Sequence, residues 1–433
     1  MIRPWTRPFY VCLVAAALVA GCTSEDSEKA SPTTEGGSGA SAKKGVASAV
    51  SGDTRPPLNP ADNGRLFAAD APWNRTAAEL GRSEKYQDYV ENFLHMGNRG
   101  ALDDPAWRGR FSTYFSEYSV PIYPLSDATQ EIPVWTAGFG YPGNLTDGAL
   151  APWNPAWEPA GGNDQMLMVA DPETGRWWSL WLVQKVNWTG CLTIENLAKG
   201  YTPGSGICVG GGNLATAIDG SVADYRSSSG VLGGRGMGLE KLEMVVTVDE
   251  VELGSIRHAL AMNVYNPMFG PECSAEERDS PAAGSTCGFF VSPAERVEFA
   301  SGGTENCGPN TIEPTVENRE RTIPHGMRFA VDMSDADIES WLDSRGYTGA
   351  FRRTAKIFAT AMRDYGFVIA ETTCWDAGIE VDGSENPQTR QRWEDLGVPV
   401  GEDAAQQLLW GLVTEDNLYV VKPTPIPGRD LRD

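Results

Sequence analysis

An export segment at the amino terminus sets the conditions under which the rest of this chain must fold. Arg3 and Arg7 supply a positive start, Val11 to Ala20 a short apolar centre, and small residues follow, which is the layout of a signal peptide over residues 1–21. The apolar run is too short to span a bilayer. Everything after it is therefore expected to fold outside the cytoplasm, where thiols oxidise. Of the eight cysteines, Cys12 and Cys22 belong to the export region, leaving Cys191, Cys208, Cys273, Cys287, Cys307 and Cys374. None has the Cys/His spacing of a zinc site, so no metal is expected there and three disulfides are. The expected pairs are Cys191 with Cys208, Cys273 with Cys287, and Cys307 with Cys374.

Leu18-Val19-Ala20-Gly21-Cys22 closes the export segment. It resembles the lipobox of bacterial lipoproteins, in which the cysteine becomes a lipidated amino terminus. The resemblance implies anchoring through Cys22 to a bacterial membrane, with the domain facing the periplasm or the cell exterior. Each buried acyl CH₂ contributes roughly 0.8 kcal/mol, so several chains on one cysteine hold a domain at the bilayer durably. Residues 22–63, rich in Ser, Gly, Ala, Thr and Pro, read as a flexible tether. Residues 64–425 are expected to form one large globular domain, and 426–433 a tail. The formal charge of -23 argues against a nucleic-acid partner.

Ala77 to Met96 carries apolar residues at helical spacing and predicts one helix. From Trp107 to Tyr141 short apolar pieces broken by Pro and Gly predict strands and turns. Gln165 to Ala170, a turn at Asp171 to Gly175, and Arg176 to Val186 predict a hairpin. Period two puts Trp178, Leu180, Leu182 and Val186 on one face, and Trp177, Ser179, Trp181 and Lys185 on the other. Residues 199–238 are glycine-rich and read as long loops between strands. Gly233 to Gly238 does not read as a phosphate cradle, because a strand rather than a helix is expected over Leu239 to Val248. A turn at Asp249 to Gly254 and an extended Ser255 to Val264 should follow, then an insertion over Pro267 to Glu313 and a strand at Met327 to Val331. Helices are expected at Asp335 to Asp343 and Phe351 to Tyr365, with Gly366 as the C′ glycine before a strand at Phe367 to Ala370. A helix at Asp403 to Leu412 and a strand at Leu418 to Val421 complete the pattern. The fold class expected is mostly β, a β-sandwich or jelly-roll-like body with several added α-helices.

Gly254-Ser255-Ile256-Arg257-His258-Ala259-Leu260, Pro324 to Phe329 and Ala361 to Ala370 occur in this order. Together they resemble an uncharacterised family of secreted bacterial proteins sharing GxIxHAL, PxGxRF and YGxxIA segments. The likeness covers roughly residues 160–375 and implies an exported, β-rich protein. It differs at Asp164-Gln165, where the family pattern has an Asp-His-like pair, and at Glu371, where it has aspartate.

Chemistry must come from a restricted set of side chains. His95, His258 and His325 stand apart without ligand spacing. His95 suits a helix carboxyl end, His258 either a hydrogen-bonded core or a catalytic role, and His325 either a site or a turn. No serine sits in a nucleophile elbow. No cofactor is expected. Calcium would draw only on Asp332, Asp335 and Asp337, whose spacing lacks the glycine and distal glutamate of a binding loop, and Asp335 reads as a helix cap. Carboxylates remain: Asp164, Glu250 and Glu371, with His258 or His325 assisting, could hydrolyse or eliminate across a glycosidic bond. Trp153, Trp157, Trp177, Trp181 and Arg328 are the candidate ligand-binding residues, since indole faces stack on sugars and also fill cores. Two readings follow, a glycan-active hydrolase or lyase and a non-catalytic surface module binding a glycan, wall component or protein. Replacement of Cys22 by serine is expected to shift the protein from the membrane to the soluble fraction and abolish acyl labelling; an acylated C22S chain would refute the anchor.

Overall fold

The hairpin of Leu167–Asp171 and Arg176–Trp181 is the element most directly written in the sequence, and the body of the protein is assembled on its two faces. The structure is a computed structural model describing residues 67, 71–137, 144–171, 173–183, 189–216, 234–274, 276–277, 282, 284–298, 315–374, 376–401 and 406–424. All of these belong to one unit, Arg55–Asp433. The expected export segment, Cys22, the expected tether and the expected tail lie outside the described residues, as do Lys185, Val186 and Cys307.

The described strands are β1 (Ser112–Tyr114), β2 (Ile122–Pro124), β3 (Gln130–Thr136), β4 (Ala149–Trp153), β5 (Leu167–Asp171), β6 (Arg176–Trp181) and β7 (Ile207–Val209). They continue with β8 (Gly211–Thr216), β9 (Leu260–Val264), β10 (Arg328–Val331), β11 (Phe367–Thr372), β12 (Gly378–Glu380) and β13 (Leu418–Val421). The helices are α1 (Ala77–Leu80), α2 (Tyr89–Met96), α3 (Ile194–Ala198), α4 (Val248–Glu252), α5 (Val316–Glu320), α6 (Asp335–Ser344), α7 (Gly349–Asp364) and α8 (Pro387–Asp395). The strands form three sheets, ordered β1-β12-β9-β11-β10-β13, β2-β5-β6-β8 and β4-β3-β7. Parallel pairs (β9 with β11, β1 with β12, β2 with β5, β3 with β7) mix with antiparallel ones. Strands and helices are thus both present, in mixed sheets.

Burial shows how the sheets stack. One face of the six-stranded sheet packs Leu260, Met262, Phe329, Phe367 and Ile369 against Phe358 and Met362 of α7. Its other face, Ala259, Ala261, Val368 and Ala370, meets Ile122, Met168 and Trp177 of the four-stranded sheet across Met237, Leu239 and Met244. The far face of the four-stranded sheet, Val169, Trp178 and Leu180, packs on Val134, Ile207 and Val209 of the three-stranded sheet. β6 is therefore buried on both sides, which is why its two period-two faces both carry tryptophan.

Several expected elements take a different form for local reasons. The helix expected over Ala77 to Met96 is two. A Thr76 capping box starts α1, Gly81 ends it at φ 80°, and the chain detours so that Arg82 bridges Val421 and Ser83 N–H donates to Val420. The strand expected at Leu239 to Val248 is a 3-10 turn, Lys241–Glu243, followed by α4. Thr247 and Glu250 form a capping box there, a signature present in the sequence as Thr-x-x-Glu. The segment reads as a strand because Met244, Val245 and Val246 are all fully buried between two sheets. Period two begins only at Leu260, not Ser255. The glycine-rich stretch holds β7 and β8, because Gly210 and Gly212 let the backbone lie against Trp181, Leu182, Leu145 and Leu180, where a Cβ would clash. Ser334 rather than Asp335 caps α6, with Asp337 reciprocating. The expected Asp403 to Leu412 helix begins outside the described residues.

α6, α7, β10, β11 and β13 fall within a residue or two of where they are expected. At the α7–β11 junction Gly366 has φ 74°, and its N–H donates to the carbonyl of Ala361 at 2.9 Å. A Cβ there would run into the carbonyl of Phe329. G366A combines a left-handed backbone with that clash and is expected to destabilise the fold by at least about 2 kcal/mol, read from chemical denaturation. An unchanged midpoint would show that the junction relaxes.

Candidate functional site

Residues 234–246 run between the six- and four-stranded sheets, and this segment brings two cations into the interior. Met237 N–H donates to the carbonyl of Ala370, and Val246 N–H to that of Glu380, fixing the segment to β11 and β12. Arg235 is fully buried and Lys241 nearly so. Arg235 reaches one carboxylate oxygen of Glu380 through Nε at 2.8 Å and through a second nitrogen at 2.7 Å. Lys241 Nζ donates to the other oxygen at 2.7 Å and to Glu371, and Asn263 Nδ2 adds a bond to Glu380 at 3.2 Å. Both oxygens of Glu380 are thus satisfied. Glu371 holds only the edge of the cluster.

A register shift in β11 aims Glu371 at this position. Ile369 pairs with Met262 and Glu371 with Asn263, so Ala370 is the extra residue of a bulge, a device that redirects side chains at the ends of strands. Asn263 and Glu371 therefore lie side by side at the carboxyl ends of two parallel strands.

The two glutamates are pushed in opposite directions. Burial opposes ionisation of Glu380, but Arg235 and Lys241 outweigh it and hold its pKa down to about 2. Burial raises Glu371 to about 8, with Lys241 opposing and Glu380, Asp164 and Glu298 reinforcing. Lys241 stays protonated because the two glutamates outweigh its own burial. One carboxyl therefore holds a proton near neutral pH beside another that does not, which makes Glu371 the candidate acid and Glu380, fully paired, its fixed counter-charge.

Asp164 stands next to this cluster, near enough to contribute to the raising of Glu371. Its own pKa is raised by burial, with Lys241 and the Trp181 hydrogen bond opposing. Trp181 Nε1 donates to it at 3.3 Å. Among the described residues the non-glycine positions with positive φ are Tyr118 (59°), Gln165 (43°) and Leu182 (51°). All three border Asp164. Gln165 follows it in sequence, Leu182 N–H donates to its carbonyl at 2.9 Å, and the pKa of Tyr118 is raised by burial with the charge of Asp164 reinforcing. Each such conformation costs about 1–3 kcal/mol and survives where the surroundings hold it, often at functional sites. Trp181, Tyr118 and Tyr114 are half-buried here, with the two tyrosine rings 5.8 Å apart.

A third carboxylate lies on the Glu371 side. Glu298 accepts from Thr372 N–H and Oγ1, each at 2.8 Å, and its Oε2 lies 3.4 Å from Nε2 of the fully buried His325. His325 thus orients Glu298. A Cβ at position 236 would run into the Glu298 carboxylate, so a larger residue there would displace that group. Behind Lys241, burial raises Glu240 to about 7, and raises Glu243 well above the carboxylate range.

The remaining expected residues lie elsewhere. Glu250 is the capping-box acid of α4, and His258 Nε2 meets it at 3.1 Å while Nδ1 faces the Ala259 carbonyl at 2.8 Å. Burial disfavours the imidazolium, but Glu250 and that carbonyl outweigh it and raise its pKa. The pair is an internal tie, and Glu250, His258 and Glu371 do not converge. Arg328 is buried and spent on the carbonyls of Tyr365, Pro72 and Arg75. Trp153, Trp157 and Trp177 are core residues, 3%, 3% and 2% exposed, so the expected shared tryptophan face is not formed and only Trp181 reaches the site. Asp332, Asp335 and Asp337 are engaged by Arg82, Arg363 and Ser334. Cys191–Cys208 and Cys273–Cys287 are disulfides, and Cys374 is also disulfide-bonded. Arg235, Lys241, Glu298, Glu380 and Tyr118 were not legible as site residues. For Lys241 the available signal was charge inside an apolar run, Met237 to Val248, since Lys and Glu are rarely fully buried without partners; the other four carried none.

No family model matches the sequence, and comparison with curated proteins and with solved structures returns no match. The geometry of the site is therefore the ground for a functional reading.

The pKa directions give a signed pH dependence. Glu380, depressed to about 2, contributes stability that is present above its ordinary 4.5 and is lost as pH falls towards 2. Glu371 and Glu240, raised to about 8 and about 7, contribute stability that is full below 4.5 and is lost as pH rises through those values. The thermal midpoint of the wild type is expected to fall between pH 5 and 8, and that of E371Q to fall less; parallel curves would refute the assignment. E380Q leaves two buried cations sharing one carboxylate, and is expected to lose about 3–5 kcal/mol in denaturant unfolding.

Proposed function

We propose that this chain is an exported, lipid-anchored protein whose domain acts on a polysaccharide through carboxylate acid–base chemistry at Glu371 and Asp164. The observation that carries the reading is the split across Lys241: Glu371 is raised to about 8 and Glu380 is held at about 2. Glu380 is wholly buried and serves as the fixed counter-charge, while Glu371 keeps partial exposure. In hydrolysis, Glu371 would give its proton to the glycosidic oxygen as that bond breaks. Asp164 would act as base towards water or as nucleophile towards the sugar carbon. In elimination, one carboxylate would take the carbon-bound proton while Glu371 protonates the departing oxygen. Tyr118, Tyr114 and Trp181 offer aromatic surface for a sugar ring beside Asp164.

The sequence segments shared with the secreted family are compatible with this reading. They lead into β9, carry His325, and lead into Glu371. The stacking of the three sheets likewise supports describing the body as sandwich-like, with helices on its outer face. A site of this kind on a tether suits a substrate in the wall or at the membrane surface.

The test is incubation of the purified chain with a polysaccharide panel, scoring new reducing or unsaturated ends. E371Q and D164N are each expected to lose at least about 10²-fold in rate while keeping affinity. Wild-type activity should decline as pH rises through about 8, where Glu371 loses its proton. Affinity for a glycan with no new ends at any pH would instead establish a binding module.

A further inference from the structure

A cleft of about 470 Å³ lies between α7 and the loop joining α4 to β9. It opens beside Arg257 and Tyr365, at the amino ends of β9 and β11, whereas Asn263 and Glu371 stand at the carboxyl ends of the same strands. Five or six residues of strand, roughly 17–20 Å, separate the two places. The cleft is therefore distinct from the Lys241 cluster.

Its charge runs against that of the protein. The chain carries a formal charge of -23, yet Arg257, Arg353 and Lys356 all line this one cleft. Arg353 and Lys356 stand three residues apart on one face of α7. Lys356 is held by Glu339 at 2.5 Å, and the lining carboxylate, Asp364, is held by Arg363 at 2.7 Å. The described arginines elsewhere are engaged by carboxylates, carbonyls or aromatic rings, as with Arg82, Arg296, Arg345 and Arg392. Among the described residues, Arg257 and Arg353 are the arginines with no hydrogen bond, ion pair or ring contact, and both face this space.

Leaving two guanidiniums unpaired near a third cation costs electrostatic energy that any of the many surface carboxylates could offset. Guanidinium forks match the paired oxygens of a carboxylate or phosphate. Ile256 and Ile357 add an apolar wall, and Thr360 a hydroxyl. We propose that this cleft binds an oxyanion, a phosphate or a carboxylate carried on a compact ligand such as an acidic sugar, gripped between Arg257 and Arg353. The proposal is independent of the reaction assigned to Glu371, and it calls on no residue of that cluster.

Calorimetric titration of the purified full-length chain at low ionic strength tests it, with inorganic phosphate in one arm and glucuronate in the other. One-site binding is expected in at least one arm, weakened about tenfold or more by R257Q and by R353Q. A surface control, R321Q, should bind as the wild type does. Because neither guanidinium has a partner to lose, the thermal midpoints of both variants should match the wild type, separating lost binding from lost fold. Tighter phosphate binding assigns a phosphorylated ligand, and tighter glucuronate binding an acidic sugar. No saturable binding in either arm, or binding that survives the R257Q/R353Q double substitution, overturns the proposal.

Discussion

Glu380 is the charge around which the centre of this protein is arranged. It is wholly buried and ionised, and it is kept so by Arg235, Lys241 and Asn263, which satisfy both of its oxygens. A carboxylate in that position without cations would be too costly to maintain, and the cations would be equally costly without it. Each therefore specifies the other. Arg235 also donates to the carbonyls of Glu240 and Lys241, so the same guanidinium that neutralises Glu380 shapes the segment delivering the lysine. The six-stranded sheet, the segment laid over it and three charges are held by one set of contacts.

The consequence for chemistry lies in how the lysine is shared. Lys241 bonds both Glu380 and Glu371, but Glu380 has Arg235 as well. Negative charge settles on the better-served glutamate, and Glu371, facing Asp164 and Glu298 at the rim, retains its proton. The bulge at Ala370 turns Glu371 towards the lysine, and His325 fixes Glu298 at the neighbouring backbone of Thr372. On the opposite wall, strain concentrates at Tyr118, Gln165 and Leu182 around Asp164. Rigid, fully paired groups lie inside, and the groups able to move a proton lie at the edge.

Much of the body was legible from local pattern. The β5–β6 hairpin, α6, α7 and β13 announced themselves through period, capping and turn residues, because each satisfies its own backbone and buries one definable face. The segment from Leu239 to Val248 did not, because it is covered on both sides and its apolar residues follow no period. Trp177 misled for the same reason: β6 is buried on both faces at that position, so its indole is core, whereas Trp181 at the end of the strand stays half-buried. The site was half legible. Asp164, Glu371 and His325 stood out as polar residues at strand ends and turns, whereas Arg235, Lys241 and Glu380 acquire meaning only as partners far apart in sequence.

The sequence by itself determined the local elements, the disulfides between Cys191 and Cys208 and between Cys273 and Cys287, and the acidic balance of the chain. These depend on composition and on contacts between residues close along the chain. The tertiary structure decided which charges meet. Lys241 and Glu371 are separated by 130 positions and Arg235 and Glu380 by 145, and no periodicity reaches so far. Their pairing, and the proton it leaves on Glu371, follow from the low dielectric of a space that exists only once the six- and four-stranded sheets have closed over the segment between them.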